Sequence, residues 1–122
     1  MDETFSLVEL AKEVNAWCTK HRVLPANGQA GETLTLRNLR YYRTLGLLDG
    51  PTSPGGQGYG EKHRLQLIAI RLLQAQGLPL NRIRTLLYSR DLGELREIEK
   101  RGLLELKEQS LPDLASRGQE LS

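Results

Sequence analysis

One cysteine, one tryptophan, one phenylalanine and two histidines are spread over the 122 residues of this chain. A lone cysteine excludes an internal disulfide framework and cannot by itself build a thiolate metal site. Two isolated histidines, no serine or cysteine set beside a base, and no Walker-type glycine loop leave no constellation for catalysis. Neither an enzyme nor a bound metal or cofactor is therefore expected. No stretch approaches the roughly 18 apolar residues of a membrane span, and the acidic start is not a signal peptide. The default is a soluble cytoplasmic protein of one domain, or one domain with an appended element. Aromatic residues make up only 5% of the chain, which suits a small helical fold with little room for a large cavity.

What is present is unevenly placed charge. The net charge is only +2. Between residues 37 and 90, however, nine basic residues (Arg37, Arg40, Arg43, Lys62, Arg64, Arg71, Arg82, Arg84, Arg90) face two acids, Asp49 and Glu61, giving +7. Both flanks are net acidic. A basic centre between acidic ends suits a protein that offers one face to a polyanion, although arginines can also do no more than solvate helices.

The basic centre begins with Thr35 to Leu48, TLRNLRYYRTLGLL. Thr35 is a good N-cap, Leu34 and Leu39 occupy the positions of a hydrophobic staple, and Gly46 is a natural left-handed stop. Arg37, Arg40 and Arg43 recur every three residues along one side, while Leu36, Leu39 and Leu45 can face a core. A basic, aromatic helix without an acid reads as one that meets phosphate.

The rest of the chain frames it. Ser6-Leu-Val-Glu9 is a capping box flanked by Phe5 and Leu10, so a helix starts there and runs to about Lys20. Leu7, Leu10, Ala11, Val14, Trp17 and Cys18 form its buried stripe. Cys18 reads as a small buried hydrophobe, and His21 as a surface or capping residue. Residues 21–34, with Pro25, Asn27, Gly28 and Gly31, form a loop. Asp49 to Gly60 holds five glycines and two prolines and cannot be helical; a short two-stranded wing over about 48–60 is the expectation. Glu61 to Gln76 is the most regular helix, with Leu65, Ile68, Ala69, Leu72 and Ala75 on one face, and Gly77 ends it. Pro79 opens a further helix with Leu80, Ile83, Leu86 and Leu87 inward and Arg82 and Arg84 outward. A last segment, 91 to about 110, has an imperfect stripe of Leu92, Leu95, Ile98, Leu103 and Leu106, weakened by Gly93 and Gly102. Such a helix needs a partner, either the domain's own surface or the same helix of a second chain. The polar tail from Pro112 to Ser122 reads as frayed.

Leu34 to Leu48 resembles the recognition helix of the MerR family of transcriptional regulators, in which an Arg-Tyr-Tyr triplet precedes a Gly-Leu helix end. Tyr59-Gly-Glu-Lys-His63 is similar to that family's entry to the third helix, and Gly77-Leu-Pro-Leu80 with Ile83 and Leu86-Leu87 to its fourth; Leu10-Ala11 fits the first. The resemblance spans about residues 5–88. It implies a mainly α, winged helix-turn-helix DNA-binding domain over 1–90, with a short β-hairpin wing. A C-terminal amphipathic helix and tail, 91–122, would follow, dimerising through Leu92, Leu95, Ile98, Leu103 and Leu106. It also implies a cytoplasmic, nucleoid-associated bacterial regulator that binds promoter DNA as a homodimer, with RNA polymerase or another protein as a further partner.

Three departures stand out. The connection between the first two helices is longer than the family's tight turn. Gly55-Gly56-Gln57 stands where the family's wing has Gly-Tyr-Arg. The chain is too short for an effector domain, so drug, metal and redox sensing by the family's routes are not expected. Arg37 and Asn38 are the candidates for base contacts, arginine suiting guanine and asparagine adenine. Arg40, Tyr41, Tyr42 and Arg43 are assigned mainly to phosphates, with one tyrosine ring able to lie against the wing and core packing the alternative for Tyr41. Gln57, Tyr59, Lys62, His63 and Arg64 are second-line contacts from the wing and its exit, His63 alternatively capping its helix. A protein-binding adaptor on the same scaffold and an excisionase-like architectural DNA protein are the competing readings.

Overall fold

The capping box at Ser6 forms as its spacing demands. In the computed structural model, Ser6 Oγ accepts from the Glu9 amide at 3.1 Å and Glu9 Oε1 accepts from the Ser6 amide at 2.9 Å. The structure describes residues 4–26, 31–52 and 58–110, with side chains to residue 106. Five helices lie within them: α1 Leu7–His21, α2 Leu36–Thr44, α3 Glu61–Ala75, α4 Leu80–Leu87 and α5 Leu92–Ser110. Helix α1 buries Leu10, Ala11, Val14, Trp17 and Cys18, five of the six stripe residues, and leaves Leu7 half-buried. Gly46 (φ +80°) and Gly77 (φ +87°) take the left-handed conformation that ends α2 and α3.

Helix α3 is the axis of the molecule. The sequence pattern shows one apolar face, yet ten of its fifteen residues are buried, including His63, Gln66, Arg71 and Gln74. The reason is that α1, α4 and α5 all pack on it. A helix wrapped on several sides needs polar residues that find partners inside, and these four are the ones the periodicity left out.

The C-terminal helix is part of this core. Asp91 caps it, accepting from the Glu94 amide at 2.8 Å, while Glu94 Oε1 accepts from the Asp91 amide at 3.0 Å. Leu95 is fully buried, and Leu92, Ile98, Leu103 and Leu106 pack half-buried against the same cluster. Of the two partners open to the stripe, the domain's own surface and a second chain, the structure shows it packed on the chain's own α3. Gly102 is not merely a weak helix former. It is buried, and a Cβ there would sit 2.8 Å from Leu72 Cδ1.

The long connection between α1 and α2 is tied down at both ends. Asn15 of α1 holds Leu34 by two bonds, Nδ2 donating to its carbonyl at 3.0 Å and Oδ1 accepting from its amide at 2.8 Å. The Ala26 amide donates to the Gln74 carbonyl at 3.0 Å, and Arg71 Nη1 donates to the Gly31 carbonyl at 2.8 Å. Residues 27–30 of the expected loop lie outside the described residues.

No β-strand occurs among the described residues, so the expected hairpin wing is represented only by its base. Thr52 donates to the Gly58 carbonyl through both its amide (2.8 Å) and its hydroxyl (2.9 Å). Tyr59 then forms an isolated antiparallel bridge with Phe5, their amides and carbonyls exchanging bonds of 2.7 and 3.2 Å. This bridge ties the residue before the Ser6 cap to the residue before α3's N-cap, Gly60. The polar tail lies outside the described residues.

Candidate nucleic-acid interface

Helix α2 is short, and its start is unusually well secured. Thr35 Oγ1 accepts from the Asn38 amide at 3.1 Å, and Asn38 Oδ1 accepts from the Thr35 amide at 3.0 Å. The expected N-cap is therefore half of a reciprocal capping box. Thr-x-x-Asn is a short-chained version of the Ser/Thr-x-x-Glu/Gln signal, and that spacing was readable in the sequence. Leu39 is completely buried, and Leu36 and Leu45 are half-buried, which turns the opposite side of α2 outward.

That outward side holds Arg37, Arg40, Tyr41, Arg43 and Thr44, all exposed, with Asn38 partly so. The two tyrosines separate cleanly. Tyr41 is 53% exposed; Tyr42 is 5% exposed, packed in the core with its hydroxyl accepting from Gln74 Nε2 at 3.4 Å. This reverses the expectation from the sequence, which places Tyr42 on phosphate and gives the core alternative to Tyr41. The Tyr42 ring lies inside because it falls on the same side of α2 as Leu39, three residues earlier.

The rest of the +7 segment sorts by partner. Lys62 Nζ pairs with Asp49 at 3.0 Å, Arg64 with Glu13 and Glu61 at 3.7 and 3.4 Å, and Arg90 with Glu94 at 3.0 Å. Burial works against ionising Asp49, but the hydrogen bonds from Lys62 and Gln66 and the charge of Lys62 outweigh it, holding its carboxyl below the ordinary range. Arg71 is 1% exposed and contributes nothing to the surface. Burial lowers its pKa, partly offset by Tyr42 and Cys18. The same burial pushes the Cys18 thiol up to about 11 despite Arg71 beside it, so Cys18 is the inert buried hydrophobe that its place on the stripe implied. Arg71 Nε and Gln74 Oε1 have no partner among the described residues.

Once these pairs are set aside, Arg37, Arg40 and Arg43 of α2, with Arg82 and Arg84 of α4, have no carboxylate partner among the described residues. Three of the five are consecutive turns of one exposed helix face. Where that face meets the wing base, an open hollow of about 570 Å³ is lined by Arg40, Arg43, Thr44, Leu48 and Gly50.

The wing-side candidates are mostly structural where they are described. Tyr59 is 2% exposed and His63 is 3% exposed, their rings edge-on at 5.0 Å. The Gly60 amide donates to His63 Nδ1 at 2.9 Å, so Nδ1 carries no proton and Nε2–H donates to the Gly50 carbonyl at 2.8 Å. His63 therefore caps α3, the alternative role weighed for it, and also ties the two ends of the wing together. Nothing in the sequence signalled the Gly50 contact. Lys62 and Arg64 stay near the surface but paired, and Gln57 lies outside the described residues.

Residues 33–90 match the family described as MerR HTH family regulatory protein. No curated protein and no solved structure matches the chain significantly. The matched span runs from the approach to α2 through α4 and omits α1, which is set apart in sequence by the long connection. Over residues 33–90, just under half of its length, the chain is similar to the MerR helix-turn-helix family.

Proposed function

We propose that this protein binds double-stranded DNA and regulates transcription by laying α2 in the major groove. The observation that supports the reading is the row of Arg37, Arg40 and Arg43 on one exposed face with no carboxylate beside it. Of the five arginines without a carboxylate partner among the described residues, these three share one exposed helix face, while Arg82 and Arg84 lie on α4. A recognition helix enters the groove with its N-terminal residues toward base edges. That geometry assigns Arg37 and Asn38 to bases and Arg40, Tyr41 and Arg43 to the backbone, with a phosphate seated in the hollow of Arg40, Arg43 and Thr44. Tyr42, Tyr59 and His63 hold the scaffold, and Gln57 of the wing is a further backbone contact.

The protein acts as a homodimer in this proposal, so that two α2 helices reach successive major grooves about 34–36 Å apart. The contact surface differs from the one expected from the sequence, since Leu95 and its neighbours are already covered. What α5 leaves open is a groove of about 410 Å³ floored by Leu73, Leu86 and Ile98 and rimmed by the Arg90–Glu94 and Glu97–Arg101 pairs. Leu104 lies exposed beyond it on α5.

The test is DNA affinity measured against salt. Each neutralised phosphate adds a slope of about 0.9 in log K against log salt. An Arg40→Ala/Arg43→Ala variant should lose about 1.8 of that slope and bind weakly, with its melting temperature unchanged because both side chains are exposed. Equal affinity and slope would end the proposal. Genome-wide occupancy checks the regulatory step: peaks over promoters are expected, whereas an empty map with a strongly co-purifying protein would favour the adaptor reading. Sedimentation of the full chain, alone and as Leu86→Glu, checks the dimer, which should dissociate in the variant.

A further inference from the structure

We propose that His63 is a positioning residue for the phosphate hollow, and that it holds the hollow only while its imidazole is neutral, so that DNA binding weakens in mild acid. The inference rests on the DNA-binding reading above. The hollow lined by Arg40, Arg43 and Thr44 has Gly50 as its wall on the side of the wing base. The Gly50 carbonyl accepts from His63 Nε2–H at 2.8 Å, and Nδ1 of the same ring accepts from the Gly60 amide at 2.9 Å. One buried ring thus joins a wall of the hollow to the N-cap of α3. The neighbouring tie, from the Asp49 amide to Gln66 Oε1 at 3.0 Å, secures the same limb without a titrating group.

A backbone N–H can only donate, so the Gly60 bond requires the single lone pair of Nδ1. A second proton on the ring would occupy that lone pair and set N–H against N–H. With the ring 3% exposed, the new donor meets water only if the imidazole leaves its seat, and the Gly50 bond is lost with it. No carboxylate is free to hold an imidazolium in place. The charged groups lining the cleft beside the ring are Glu13 of α1, Asp49 of the wing base, Glu61, Lys62 and Arg64 of α3, and Arg96 of α5. Lys62 engages Asp49, Arg64 engages Glu13 and Glu61, and Arg96 has no carboxylate partner among the described residues. The remaining neighbour is the Tyr59 ring, edge-on at 5.0 Å. Acid therefore favours the released ring, and neutral pH the seated one.

The experiment measures the affinity of the full chain for a duplex selected from a random pool, from about pH 7.5 to about pH 5.5 at constant ionic strength. Wild type is compared with His63→Gln, and the wild-type ring nitrogens are followed by NMR in the complex. A released histidine with the ordinary pKa of about 6.5 is protonated about ten to one at the acid end, so wild-type affinity should fall by as much as about tenfold. Glutamine does not titrate, and the variant's affinity should stay level with pH whatever its absolute value. His21, on α1 against Trp17, is common to both proteins and drops out of the comparison. If the variant does not fold, the wild-type spectra decide alone: the ring should keep its Nε2–H form in the complex and gain its second proton only as DNA is released. A level wild-type affinity, an equal fall in both proteins, or a doubly protonated ring in an intact complex would each overturn the inference while leaving DNA binding in place. Absence of binding at every pH would instead end the DNA-binding reading, and this inference with it.

Discussion

Gly102 decides between two opposite expectations for the same substitution. Helix propensity alone says that Gly102→Ala in the interior of α5 should stabilise the protein by about 1 kcal/mol. Packing says the reverse. The new Cβ would stand 2.8, 3.0 and 3.1 Å from Leu72 Cδ1, Cδ2 and Cγ, all inside normal contact. Leu72 is 1% exposed on α3, so its methyl groups can yield only into the core around them. Forcing a methyl into a filled core costs about 1–3 kcal/mol, and the net loss should be about 1 kcal/mol, a fall of roughly 4–8 °C in melting temperature for a domain of this size. A double-mutant cycle isolates the cause. Leu72→Ala alone should cost about 2–5 kcal/mol. In that background Gly102→Ala should become neutral or stabilising, because the methyl now enters the space that leucine vacated. Chemical denaturation of the four proteins measures every corner of the cycle. A stabilising Gly102→Ala in the wild-type background would refute the packing of α5 on α3, and with it the assignment of Leu95 and Ile98 to the chain's own core.

The adjacent tyrosines should part company in assay. Tyr41→Ala should leave the denaturation midpoint in place and weaken DNA binding, while Tyr42→Ala should cost about 3–5 kcal/mol of stability, since its ring is buried and bonded to Gln74. His63→Ala should cost about 2–3 kcal/mol in denaturant, by removing the cap of the Gly60 amide and the bond to the Gly50 carbonyl. A loss well under 1 kcal/mol would show that the wing base is not tied through this ring. For Cys18, folding raises the pKa to about 11. The unfolded chain then gives up the thiol proton first, and stability should fall as pH rises from about 9 towards 11. Comparing urea midpoints of wild type and Cys18→Ala across that range subtracts every other group, and a difference that does not change with pH would contradict the burial of the thiol.

Elements with a local cause were legible in the sequence. Ser6, Thr35, Gly46, Gly77 and Pro79 each act within a few residues of their own backbone, and every one sits where its chemistry placed it. What the sequence could not give was which side of an element faces which neighbour. Tyr41 and Tyr42 are chemically identical and adjacent. Tyr42 shares the buried side of α2 with Leu39, and α3, with Gln74 reaching its hydroxyl, closes over that side. Arg71 counted towards the basic surface because charge is summed along the chain, whereas its burial follows from α3 being wrapped by three helices. The stripe of α5 was read correctly as apolar and given two possible partners. The choice of its own domain was hidden in Gly102, whose missing side chain lets α5 approach Leu72 closely.

The long connection before α2 raises the question of how a recognition helix keeps its tilt without a tight turn. A short turn would constrain α2 through the backbone; here side chains do that work from both flanks. Asn15 grips both the amide and the carbonyl of Leu34, one residue before the cap. From the other side, α3 reaches α2 through Gln74 to Tyr42 and the connection through Arg71 to Gly31. Each link is a buried or half-buried hydrogen bond with a net value of about 1 kcal/mol but a larger cost if one partner is left alone. A seam of that kind favours a single arrangement, because a small shift of α2 would orphan several groups together. Helix α2 can therefore be displaced far along the sequence from α1 and still be held rigidly against it. The arginines Arg37, Arg40 and Arg43, which have no carboxylate partner among the described residues, inherit their orientation from this seam.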